Sequence, residues 1–133
     1  MQKIKSFEDL EVWQYGKLLV VKIYKMTSHF PHDEVYGITA QVKRAALSIP
    51  ANIAEGFGRF HFLDKAKFYL NARGSLYELE SHLTIANELG FVKTELYDST
   101  TELIKNLSLK LNRLITATRN LKKSMSKDTD DND

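Results

Sequence analysis

From Gln41 to Arg59 polar residues recur at steps of three and four, and this spacing constrains the fold more than any other feature of the chain. Wound at about 3.6 residues per turn, the stretch puts Gln41, Arg44, Ser48, Asn52, Glu55 and Arg59 on one narrow line. Beside it runs an apolar stripe of Ile38, Val42, Ala45, Ile49, Ile53 and Phe57. The remaining face is mostly small, with Ala40, Leu47, Ala51, Ala54 and Gly58; only Lys43 interrupts it. A surface helix normally has one apolar stripe and a charged back, so two apolar sides predict cover over most of the circumference. A chain of 133 residues has few helices to supply that cover, so part of it is expected from other copies. Pro50 lies inside the stretch. It lacks an amide hydrogen and its ring clashes with the carbonyl of Ala46, which predicts a bend or a restart that Ser48 would cap.

Two prolines and six glycines are few for this length. With long periodic runs of Leu, Ala, Lys and Glu, they predict an all-α protein of one domain rather than a sandwich of short strands. Helices are expected at about 9–28, 34–59, 63–89 and 95–124, giving a four-helix domain over 1–125 and an acidic, disordered tail over 126–133. In the first helix, Ser6 and Asp9 suit a capping arrangement. Leu10, Trp13, Val20, Val21 and Tyr24 form one stripe, and Val12, Tyr15, Leu19, Ile23 and Met26 a second. The aromatic residues there are read as core. Pro31 ends the first helix near Phe30.

In the third helix, Asn71, Ser75, Glu78 and His82 make another polar line, expected to pair with that of the second. Gln41, Arg44, Ser48, Asn52, Glu55, Ser75 and Glu78 are therefore assigned to a structural polar network. Gly74, costly in mid-helix, predicts a close helix approach beside the Pro50 bend. Gly90 suits the residue just past a helix end, and Thr94 suits the cap of the next. The fourth helix repeats Thr100, Ile104, Leu107, Leu111, Leu114, Thr118 and Leu121 in alternating steps of four and three, the seam of a bundle.

Several chemistries find no support. Without cysteine there are no disulfides, thiolate zinc sites or cysteine nucleophiles. His29 and His32 lack a third ligand nearby, and Glu78 with His82 has the wrong spacing for a di-iron bundle, so no metal is expected. Gly56-x-Gly58 follows no strand, which argues against a nucleotide fold. No nucleophile has an adjacent base, so neither an enzyme nor a cofactor is expected. No run reaches the roughly 20 apolar residues of a membrane span, and Met1–Ser6 leads into no signal-peptide core. The expected location is cytoplasmic.

The net charge of +2 hides a division: Lys127 against Asp128, Asp130, Asp131 and Asp133 contributes −3, leaving the rest near +5. Lys65, Lys67, Arg73, Lys110, Arg113, Arg119, Lys122 and Lys123 are the candidate phosphate contacts, chosen by charge and helix position. The plainer reading makes them a solvated face. The acidic tail could compete for the basic helix.

Phe7-Glu8-Asp9-Leu10-x-x-Trp13, Phe30-Pro31, Tyr36-Gly37 and, above all, Arg44-Ala45-Ala46-x-Ser48-Ile49-Pro50-Ala51-Asn52-Ile53-Ala54-Glu55-Gly56, followed by Gly74-Ser75-x-x-Glu78-Leu79, carry a family resemblance. The chain resembles the bacterial 23S rRNA intervening-sequence proteins, to which accessory proteins of diversity-generating retroelements are related. The resemblance implies an antiparallel up-down four-helix bundle that assembles into a ring, typically a homopentamer, and brings no catalytic residues with it. The function expected is a non-enzymatic, nucleic-acid-binding homo-oligomer directed at RNA, ribosomal or intervening-sequence. The alternative is an oligomeric scaffold for a protein partner such as a polymerase or reverse transcriptase.

Overall fold

In the computed structural model the description covers residues 3–131, with side chains to residue 121. The described residues form α-helices and two short 3-10 turns, with no strand. The helices are α1 (Glu11–Thr27), α2 (Ile38–Gly58), α3 (Phe62–Glu88) and α4 (Thr94–Asp131). α1 packs on α2, α2 on α3, α3 on α4, and α4 closes back on α1. α4 runs past the expected helix end at 124, and of the tail expected to be disordered over 126–133 the backbone of 126–131 continues this helix, while its side chains and residues 132–133 lie outside the description.

The chain opens differently from the single helix expected over 9–28. Phe7–Asp9 is a separate 3-10 turn. Ser6 and Asp9 close a capping box on it, the Glu8 amide donating to the Ser6 hydroxyl at 3.2 Å and the Ser6 amide to the Asp9 carboxylate at 3.1 Å. Leu10 is then extended, with ψ 128°, and α1 starts at Glu11. The second apolar stripe of α1 supplies its core face, where Val12, Leu19, Ile23 and Met26 are buried. The first is only half-covered, and Val21 and Tyr24 stand exposed.

α2 runs without a break through Pro50, so no second piece starts there. Ser48 caps nothing; its hydroxyl donates to the Ala45 carbonyl at 2.9 Å. Val42, Ala45, Ala46, Ile49 and Ile53 are buried, whereas Leu47, Ala51 and Gly58 of the small face are exposed. Burial of Ile49, Ile53, Leu19, Leu76, Leu79, Leu83, Leu107 and Leu111 in one cluster stabilises the fold, each side chain contributing roughly 1.5–3 kcal/mol relative to exposure.

The close approach expected at Gly74 occurs elsewhere. A Cβ on Gly74 would meet nothing within 4 Å, whereas on Gly16 it would lie 3.5 Å from the Pro50 ring, and on Gly56 only 2.7 Å from the Tyr69 ring. Gly16 and Gly56 are thus the glycines at which helices meet. Gly74 only weakens α3, so Gly74→Ala is expected to stabilise the chain by about 0.5–1 kcal/mol, read as a higher urea midpoint at unchanged slope.

Gly90, at φ 78°, closes α3. Its amide donates to the Asn87 carbonyl and that of Phe91 to the Ala86 carbonyl, both at 3.0 Å, the paired bonds of a Schellman turn. Phe91 then meets Phe30 at 5.8 Å between ring centres, tying the α3–α4 turn to the end of α1. α4 begins on Thr94 itself rather than after it as a cap. Its buried row is Thr100, Ile104, Leu107, Leu111, Ile115 and Thr118; Ile115 replaces the expected Leu114, and Leu121 is exposed. The row follows the 3.6-residue period of a straight helix, which drifts away from a heptad seam after three turns. Thr100 and Thr118 are tolerated inside because their hydroxyls donate to the carbonyls of Leu96 and Leu114, at 2.6 and 2.8 Å.

Candidate nucleic-acid interface

The two polar lines meet at one point only. Arg44 donates to Glu78 at 2.7 Å and to Gln41 at 2.9 Å, bridging α2 to α3 on the surface. With both side chains well exposed, such a pair contributes at most about 1 kcal/mol. His82 lies 3.9 Å from the same Glu78 oxygen, and its buried Nε2 has no hydrogen-bond partner among the described residues. Asn52 bonds back to the Ser48 carbonyl at 2.8 Å, and neither Glu55 nor Ser75 joins the network. Arg59, last in the line, sets its guanidinium 4.5 Å over the Phe68 ring. Within the single chain the polar line thus holds one exposed bridge and local bonds.

The basic candidates separate by what already holds them. Lys65 closes the C-terminal end of α2, its ammonium donating to the Phe57 carbonyl at 2.6 Å and more weakly to Gly56 at 3.4 Å. Burial there lowers its pKa from the ordinary 10.5, while burial raises the phenol of neighbouring Tyr69 above 10.0. Arg73 donates to Asn112 at 3.1 Å, linking α3 to α4. Lys110 pairs with Glu11 at 2.7 Å and lies 5.0 Å over the Tyr15 ring, linking α4 to α1. These three cations stitch helices together and are poorly placed for phosphate. Lys67, Arg113 and Arg119 are exposed. The side chains of Lys122 and Lys123 lie outside the description.

Lys67 and Arg119 come together. They flank an open groove of about 280 Å³ between the first turns of α3 and the later part of α4. Phe62, Leu63, Ala66 and Leu70 make its apolar floor, Asn71 adds an amide, and among the described residues no carboxylate lines it. Arg113 stands apart, lining one depression along α4 and another between α4 and the start of α1, where Glu11 joins it. A larger groove of about 510 Å³ farther along α3 and α4 has the opposite character. Glu80, Asp98 and Glu102 outnumber Lys105 there, which repels phosphate.

Three residues, Arg59, Phe60 and His61, connect α2 to α3 immediately before the basic groove. Phe60 is 89% exposed, its ring meeting that of His61 edge-on at 5.1 Å. The expected helices over 34–59 and 63–89 put Arg59 on a helical polar line and leave Phe60 and His61 as a connection with no role assigned. The signal available was an aromatic between two basic side chains at a point where both helical periods lapse. Neither the floor of the groove nor the partners of Lys65, Arg73 and Lys110 follow from spacing, because each requires knowing which helix faces which. Among the described residues no three His, Asp or Glu side chains cluster as a metal site.

The family model described as 23S rRNA-intervening sequence protein matches residues 8–113. The match takes in Phe60, Lys67 and the floor of the groove and stops short of Arg119. No curated protein matches the chain.

Proposed function

The chain belongs to the 23S rRNA-intervening sequence protein family, and from that premise we propose a non-enzymatic homo-oligomer that binds RNA through its α3–α4 side. The observation that carries this reading is the groove in which, among the described residues, Lys67 and Arg119 stand in no ion pair and flank an apolar floor that no carboxylate lines. The family description names ribosomal RNA, and phosphate attraction by such cations is independent of sequence. Two exposed cations per chain make a weak site, and repetition around an assembly turns it into avid binding.

The arrangement proposed is an up-down bundle. Contacts whose numbers run in opposite directions along paired helices support it: Gly16 with Pro50 and Tyr24 with Lys43 for α1 and α2, Arg44 with Glu78 and Gly56 with Tyr69 for α2 and α3, Arg73 with Asn112 and Thr84 with Tyr97 for α3 and α4. Pro50 kinks α2 through the hydrogen bond it cannot donate to Ala46. The exposed apolar residues Leu18, Val21, Tyr24 and Leu47 on α1 and α2 are the face we assign to ring assembly, as a pentamer. The location proposed is the cytoplasm; no helix among the described residues is long and apolar enough to cross a membrane.

A fluorescence-anisotropy titration against an RNA hairpin and a matched DNA duplex, repeated across salt concentrations, tests the function. Affinity for RNA should fall steeply with salt. Lys67→Ala and Arg119→Ala should each reduce the slope by roughly 0.7–0.9, whereas Arg73→Ala and Lys110→Ala, which lose internal contacts, should leave it unchanged. No binding at low salt would overturn the RNA reading and leave the assembly as a scaffold for a protein partner.

A further inference from the structure

We infer that the Arg59–His61 connection and the groove beside it form a site for an unpaired RNA nucleotide, with a base stacked on Phe60 and its phosphate held at Lys67 and Arg119. This rests on the RNA reading above and adds the class of RNA the site selects. An aromatic ring left 89% exposed loses the favourable burial available to it, and a stacking base restores that burial. Two residues on, Phe62 begins the apolar floor that Lys67 of α3 and Arg119 of α4 flank, so the exposed ring stands two residues along the chain from the groove that carries the phosphate-binding charge.

Comparison with a second exposed aromatic shows why charge decides between them. Tyr36 is 95% exposed, but it follows Asp33 and Glu34 in a turn whose acids repel a nucleic-acid backbone. Phe60 instead stands between Arg59 and His61, with Asp64 the nearest carboxylate in sequence, outside the groove lining. Paired bases present no free face to such a ring, because each is already stacked within the helix. A phosphate track alone would need no apolar floor. The site therefore favours loops, bulges and single strands over continuous duplex.

The test compares the full chain with an RNA hairpin carrying a single-stranded loop and with the same stem closed as a blunt duplex. The native protein should prefer the hairpin. Phe60→Ala should weaken hairpin binding by about five-fold to a hundred-fold with little change for the duplex, and Phe60→Trp should restore the preference. Circular dichroism should show unchanged helix content, since Phe60 lies outside the core. Equal hairpin and duplex affinities for Phe60→Ala and the native chain would overturn this site while leaving RNA binding in place. Loss of assembly mass in Phe60→Ala with an unchanged RNA preference would make the ring a contact between copies, and would also overturn it. No binding of either RNA by the native chain would remove both readings.

Discussion

Gly56→Ala is expected to destabilise the protein by about 1–3 kcal/mol although it adds a single methyl group. The new Cβ would lie 2.7 and 2.9 Å from two atoms of the Tyr69 ring and 3.1 Å from Phe68 Cβ. Tyr69 is only 3% exposed, so its ring cannot swing away without moving α3 from α2. Urea unfolding followed by circular dichroism measures the loss as a lower midpoint. In a Tyr69→Leu background the same substitution should cost less, because the ring it strikes is gone. Equal losses in the two backgrounds would show that the ring is not what excludes the methyl group.

Val21→Glu combined with Leu47→Glu should reduce the assembly to single chains of 15.3 kDa without loss of helix. Both positions are about half-exposed in the protomer, so the charges cost little there. In a contact between copies each carboxylate would lose water without gaining a partner, costing several kcal/mol per site and weakening association by more than a thousand-fold. Sedimentation of the native chain and the double variant reads the result. An unchanged mass in the variant would remove this face from the assembly, and a native protein already sedimenting as one chain would remove the ring.

What could be read before the fold was known divides by the range of the interaction. The all-α class, the four helices and the two apolar stripes of α1 follow from spacing, which is a property of single helices; which stripe faces the core does not. Gly90 was equally legible, because a residue past a helix end announces itself locally. Spacing places the polar line of α2 on one face but leaves its neighbours open, since one helix period cannot say which of two apolar sides they occupy; in the single chain its members range from half-buried to exposed. The close approach was expected at Gly74, and Gly16 and Gly56 were not singled out for one, because the proximity of Pro50 or Tyr69 is not visible in sequence. For the same reason Lys65, Arg73 and Lys110 looked identical to Lys67 and Arg119. Their difference lies wholly in acceptors drawn from other elements or distant residues: Phe57, Asn112 and Glu11.

The three-residue connection between α2 and α3 also bears on how the chain folds. Lys65 reaches back eight residues to Phe57, and the Gly56–Tyr69 approach spans thirteen, so joining these helices costs little chain entropy. The contacts between α1 and α4, such as Glu11 with Lys110, instead bring together opposite ends of the chain. A nucleus built on the α2–α3 hairpin postpones that costly closure until most apolar surface is already buried, and low contact order of this kind belongs to fast-folding helical proteins. A repetitive assembly of the kind proposed would then draw on protomers that complete themselves early, leaving little time for half-formed chains to meet.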